Sequence, residues 1–144
     1  MSVFADSSAL VPLYVTEDGR DVVDAFEDVT VSDLAAVEVL SAVWSRQRGG
    51  EISPHHAAFV AEWFEVDFYG SAVEPPRFTR VQLTRALLRD AAALVEPHAL
   101  AAGDAIQLAC AVAARRADPD ADTFACFDQR LRAAAAAEGF AVVP

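Results

Sequence analysis

Four acidic residues stand where carboxylates can do chemistry. Asp6 follows an apolar run in "FADSSALVPLY", Glu38 sits among apolar residues in "SDLAAVEVLSAV", Asp104 opens an apolar stretch in "LAAGDAIQLACA", and Asp128 follows "DTFACF". Carboxylates gathered within a few ångströms raise one another's pKa unless a cation neutralises them. An all-oxygen ligand set suits Mg²⁺ or Mn²⁺. His55, His56, His98, Cys110 and Cys126 show no zinc-ligand spacing, and the histidines read as structural or surface residues. A divalent ion in such a cluster can polarise a phosphodiester, activate a water and stabilise a leaving oxygen. Taken singly, Asp6, Asp104 and Asp128 also fit helix N-caps, and Glu38 fits a partly exposed helical glutamate. Asp122 reads as a loop or strand-entry residue. The combination carries the argument for a site.

The elements that must position these residues alternate between strand and helix. Val3 to Ala5 reads as a buried strand, with Ser7 or Ser8 capping a helix through Tyr14 that Pro12 makes short or irregular. Val22, Val23 and Phe26 share a helical face, and "VTVS" is a second strand. A long helix follows, capped by Ser32 or Asp33, with Leu34, Val37, Leu40 and Trp44 as its apolar stripe and Gly49 and Gly50 at its end. Ser53 and Pro54 start a helix that runs to about Gly70. Phe78 to Val81 reads as a strand, and Thr84 caps a helix that Pro97 should interrupt. The helix after Gly103, with Ile106, Leu108, Ala109 and Val112, is apolar nearly all round and therefore central. "DTFACF" is a strand, "QRLRAAAAAEG" a helix and "FAVV" a last strand. This alternation predicts an α/β fold with a mainly parallel sheet and helices on both faces.

Composition limits the function. The 144 residues are 54% hydrophobic, enough for one domain spanning 1–144 with a sizeable core. No apolar run reaches a membrane span, and no basic-then-apolar leader opens the chain, so the cytoplasm is the expected compartment. Cys110 and Cys126 lie in apolar surroundings and read as buried hydrophobes. A net charge of −11 argues against coating nucleic acid by bulk electrostatics, so any such contact must be local. All eleven basic residues are arginine. The absence of lysine removes the phosphate-binding G-x-x-x-x-G-K-[ST] loop and a phosphotransfer receiver, which needs a lysine partner.

The four quoted segments resemble, in order and nearly end to end, the acidic motifs of PIN-domain ribonucleases, and of VapC-type toxins in particular. The resemblance implies a PIN-like domain and a metal-dependent endoribonuclease that leaves a 3′-hydroxyl and a 5′-phosphate. It places Asp6, Glu38, Asp104 and Asp128 at the metal-site positions and Ser7 at the small polar position beside the first aspartate. Asp6, Glu38 and Asp104 would form the main Mg²⁺ (or Mn²⁺) shell, with Asp128 completing it directly or through water. Arg46, Arg48, Arg130 and Arg132 are the candidate RNA contacts, each with a solvated helix face as its plainer reading. The expected partners are RNA, a small antitoxin covering the acidic cleft and a second copy in a homodimer. Three positions depart from the pattern: Pro12 where lysine is frequent, Gln107 where histidine is frequent, and Cys126 where threonine or serine is frequent. Two alternatives remain, a binding module with a degenerate site and a metal-dependent nuclease acting on DNA.

Overall fold

Five short strands form one parallel sheet in the order β3-β2-β1-β4-β5. They are β1 (Ser2–Ala5), β2 (Asp28–Ser32), β3 (Thr79–Val81), β4 (Thr123–Ala125) and β5 (Ala141–Val143). The computed structural model describes residues 1–15 and 18–144. Among these lie seven α-helices: α1 (Ser7–Leu10), α2 (Arg20–Asp24), α3 (Ala35–Arg48), α4 (Pro54–Tyr69), α5 (Arg85–His98), α6 (Ala102–Ala117) and α7 (Gln129–Ala137).

Alternation along β1 divides the interior in two. Val3 and Ala5 face a core shared with Val39 of α3 and with Val60 and Phe64 of α4. Phe4 points the other way, stacking on Phe124 at 5.5 Å among residues of α5, α6 and α7. Period-2 alternation requires this split, and it puts helices on both faces of the sheet. Each fully buried phenylalanine contributes on the order of 1.5–3 kcal/mol.

The chain moves outward from β1 through β2 to β3, then crosses back to lay β4 on the other side of β1. The strand order therefore reverses between β1 and β4. Ligands in open α/β sheets gather outside the carboxyl ends of the strands at such a point.

Several local expectations change. Asp6 itself caps α1, its side chain accepting from the Ser8 amide, where Ser7 or Ser8 was expected to do so. An acceptor one residue before the helix meets its unpaired first-turn amides better than a hydroxyl already inside the turn. Helix α1 lasts one turn and gives way to a 3-10 segment over Val11–Leu13. Pro12 explains this, because it has no N–H to continue the α-helical ladder. In α3 the fully buried positions are Ala35, Val39 and Val43, whereas Val37 is exposed and Leu40 and Trp44 are only partly buried. The buried stripe thus runs through smaller side chains beside the expected ones, which suit close packing against the sheet. Leu34 is the N-cap of α3, and Ser32 Oγ accepts its amide at 3.0 Å. Helix α5 continues through Pro97 and ends one residue later, with Ala99 in the left-handed region at φ 51°. In the last turn a proline costs one hydrogen bond and no long run of helix.

Candidate active site

Asp6 and Asp128 leave neighbouring parallel strands. β1 and β4 pair at Phe4 with Phe124 and at Ala5 with Ala125, and the Asp6 amide donates to the Ala125 carbonyl at 3.0 Å. Each aspartate caps the helix that follows: Asp6 Oδ2 accepts from the Ser8 amide at 3.1 Å, and Asp128 Oδ1 from the Leu131 amide at 2.9 Å. The cap reading and the site reading are therefore compatible. A cap occupies one carboxylate oxygen and holds the group in place at the sheet's edge.

Glu38 comes from the first turn of α3 and Asp104 from the first turn of α6. With Asp6 and Asp128 they line one hollow of about 570 Å³, together with Ser7, Ser8, Val11, Pro12, Asp18, Arg46 and Phe127. Glu38 Oε1 accepts from Ser7 Oγ at 3.0 Å and from Gln107 Nε2 at 2.7 Å. Gly103 makes room for Glu38, since a Cβ there would stand 3.1 Å from Glu38 Oε2. Ser8 Oγ donates to Asp6 Oδ2 at 2.7 Å and accepts from the Phe127 amide at 3.0 Å, tying the two strand exits together.

The electrostatics follow from burial first and from this crowding second. Burial pushes the Asp6 carboxyl above its ordinary range, the Glu38 charge adds to the rise, and the Ser8 hydrogen bonds oppose it. Asp104 is pushed up to about 6, first by burial and then by the charges of Asp128, Asp6 and Glu38, with Arg130 pulling the other way. Such mutual repulsion is what a bound cation relieves. The all-carboxylate donor set fits a hard divalent ion. Among the described residues no three histidine, cysteine or acidic side chains already converge as a ready-made ligand shell. The four carboxylates share a hollow, and each of Asp6, Glu38 and Asp128 keeps its protein hydrogen bonds on a single oxygen.

The departures and the arginines find distinct places. Gln107 is fully buried beneath Ser7 and Glu38 and supplies the donor described above. Cys126 lies buried between the two aspartates, its Sγ accepting from the Asp128 amide at 3.3 Å and standing 3.6 Å from Asp6 Oδ2. Burial and the Asp6 charge push its thiol up to about 12, so it stays protonated and donates to Asp6 Oδ2 while accepting from the Asp128 amide. Pro12 lines the wall of the hollow. Arg46 lines the hollow, and Arg130 lines an adjoining one with Asp104 and Asp128. Arg48 is exposed outside both. Arg132 is turned to structure, donating to the Cys126 and Pro144 carbonyls at 2.8 Å each. His98 bridges to Glu138 at 2.7 Å, and the exposed His55 lies in the first turn of α4, both away from the hollow. Asp122 stands at the entry to β4, as expected. Asp18 and Phe127 were not anticipated as lining residues. A lone aspartate in a loop gives no sequence signal, whereas Phe127, apolar and placed between a buried strand end and Asp128, does.

No protein-family model matches the chain. Two curated relatives do: ribonuclease VapC45 of Mycobacterium tuberculosis strain CDC 1551 / Oshkosh and ribonuclease VapC49 of strain ATCC 25618 / H37Rv. Each is 34% identical over 146 residues, covering 99% of this chain and 94% of the relative. Among solved structures, the Mycobacterium tuberculosis toxin VapC20, described as cleaving the sarcin-ricin loop, superposes with a TM-score of 0.61 at 18% identity over 96% of both chains. PAE2754 of Pyrobaculum aerophilum gives a TM-score of 0.57 at 16% identity, over 93% of this chain and 84% of that one. The last two matches concern the fold; the near full-length identity to the first two reaches further. With the parallel sheet and the order of its acidic segments, it establishes that the chain belongs to the VapC family of PIN-domain ribonucleases.

Proposed function

We propose that the chain is a divalent-cation-dependent endoribonuclease and the toxin of a toxin–antitoxin pair, working as one domain over residues 1–144 in the cytoplasm. One observation carries the reading: carboxylates from four separate elements line one hollow at the strand-order reversal. Asp6, Glu38 and Asp104 would hold Mg²⁺ or Mn²⁺, with Asp128 completing the set directly or through water. The bound ion would supply polarisation of the phosphodiester and a more acidic water. The chain's own residues do the rest. Ser7 and Gln107 fix one Glu38 oxygen, Ser8 fixes one Asp6 oxygen, and the α7 amide does the same for Asp128. Arg46 and Arg130 supply the local positive charge that an acidic protein needs to admit a phosphate. Hydrolysis breaks the P–O3′ bond and leaves a 3′-hydroxyl and a 5′-phosphate.

Exposed Phe59, Val66 and Tyr69 on α4 support a protein-binding face, suited to an antitoxin or to a second copy in a homodimer. No helix among the described residues is long and apolar enough to cross a membrane.

The test is cleavage of an RNA panel that includes a sarcin-ricin hairpin, beside matching DNA, with Mg²⁺ or Mn²⁺ and with chelator. Wild type should cut RNA only with the metal, and Asp6→Asn and Asp104→Asn should not. Equal activity in all three proteins, or activity that survives chelation, would overturn the mechanism. Preference for DNA would move the assignment to a DNA nuclease.

A further inference from the structure

Phe127 stands where the acidic hollow meets a second one. The neighbouring hollow, of about 560 Å³, is lined by Ala101, Asp104, Phe127, Asp128, Gln129 and Arg130, so Phe127 belongs to both. The two residues behind Phe127, Ala125 and Cys126, are fully buried, yet Phe127 itself is 37% exposed. Among the described residues it is the one large exposed hydrophobic that lines the acidic hollow. A ring more than a third exposed beside four carboxylates belongs to neither apolar core.

The ring's position is nevertheless fixed. The Phe127 amide donates to Ser8 Oγ at 3.0 Å, and that hydroxyl donates in turn to Asp6 Oδ2. Gly19 lies against the ring edge at φ 106°, and a Cβ there would collide with Phe127 Cζ. Gly19 thus backs the edge of the ring, which stays 37% exposed. Arg130, with Nη1 on the Ala99 carbonyl at 3.3 Å, places a cation across the second hollow.

We propose that Phe127 is a stacking platform for the nucleobase next to the scissile phosphate, with Arg130 holding that nucleotide's outer phosphate. The inference rests on the ribonuclease reading and names a substrate contact within it. A strand whose phosphate enters the acidic hollow must send an adjacent nucleotide across its rim, where an aromatic face accepts any base and a guanidinium accepts a phosphate.

The test uses wild-type protein with Mn²⁺ on an RNA oligonucleotide that it cuts, in a series carrying one abasic residue at each position in turn. One abasic position beside the cut should raise KM by about 5- to 100-fold for wild type, and by less than about twofold for Phe127→Leu. Phe127→Trp should restore the dependence on that base. A flat abasic scan, or the same abasic penalty in Phe127→Leu, overturns the platform and leaves the ribonuclease intact. Failure of wild type to cut any RNA overturns both.

Discussion

Gln107, fully buried, donates from Nε2 to Glu38 Oε1 at 2.7 Å and to Ser7 Oγ at 3.0 Å. The carboxylate dictates which way the amide points, because the reverse orientation would set two acceptors face to face. The cost falls on Gln107 Oε1, which is buried without a partner among the described residues. Gln107→Leu removes a charge-assisted bond worth about 1.5–3 kcal/mol and an orphaned acceptor costing about 1–3 kcal/mol, so the melting temperature should barely move. Cleavage should fall roughly 10- to 100-fold, because Glu38 loses its anchor. Thermal denaturation beside kcat/KM separates the two, and a large stability loss with normal cleavage would refute this role.

Gly103 predicts the same separation by another route. An added methyl group would meet Glu38 Oε2 at 3.1 Å, a tight contact with the end of a flexible side chain. Gly103→Ala should therefore keep or gain stability, by up to about 1 kcal/mol from helix propensity. Glu38 must shift by a few tenths of an ångström, so activity should drop while the melting curve holds.

Asp104 sets a pH dependence in metal-free protein. Its folded pKa of about 6 lies above its ordinary value of 3.8, so the folded state binds the proton more tightly than the unfolded chain. The stability from that proton is full below 3.8 and is lost as pH rises through about 6. Asp104→Asn cannot ionise and escapes the loss. The variant's melting temperature should thus gain on wild type between pH 4 and pH 7, and saturating Mg²⁺ should narrow the gap. A gap that stays constant with pH would rule out the rise that burial, and after it the neighbouring carboxylates, give the Asp104 carboxyl.

Both cysteines should resist thiol reagents in the folded protein. Burial pushes Cys110 up to about 11 and Cys126 up to about 12, which leaves almost no thiolate at neutral pH. Labelling should appear only with denaturant, and both thiols should then react, since neither is in a disulfide.

The strands were legible because each rests on a local signal, whereas the four carboxylates pointed to one site only in combination, and the structure brings them to one hollow. Apolar runs followed by a carboxylate mark strand exits, and Ser53–Pro54 marks the start of α4 with little ambiguity. The cap of α1 was misread because a carboxylate can cap and line a site at once, each with a different oxygen; nothing local to Asp6 shows this. The α3 stripe was misread because hydropathy favours large residues, whereas close helix–sheet packing selected Ala35, Val39 and Val43. Gln107 read only as a departure from the family pattern until Ser7 and Glu38, 100 and 69 residues away, were brought to it. Long-range partnership of that kind has no periodicity to read.

Arginine roles were the least legible, since a cation on a helix face looks the same whether it meets phosphate or carbonyl. Both Arg132 and Arg46 donate to backbone carbonyls, Arg132 to those of Cys126 and Pro144 and Arg46 to that of Ala42 at 3.2 Å, and of the two only Arg46 lines the acidic hollow. Arg132→Ala frees the chain terminus from the β4 exit and should cost about 1.5–3 kcal/mol of stability, the range for bonds made by a charged donor. It should leave the salt dependence of RNA affinity unchanged. Arg46→Ala should reduce the slope of log affinity against log salt by about 0.7, the value for one contact to a single-stranded phosphate. Binding titrations of a single-stranded RNA across a salt series, using Asp6→Asn protein to prevent cleavage, measure both slopes. Equal slopes for the two arginine variants would remove Arg46 from the substrate path.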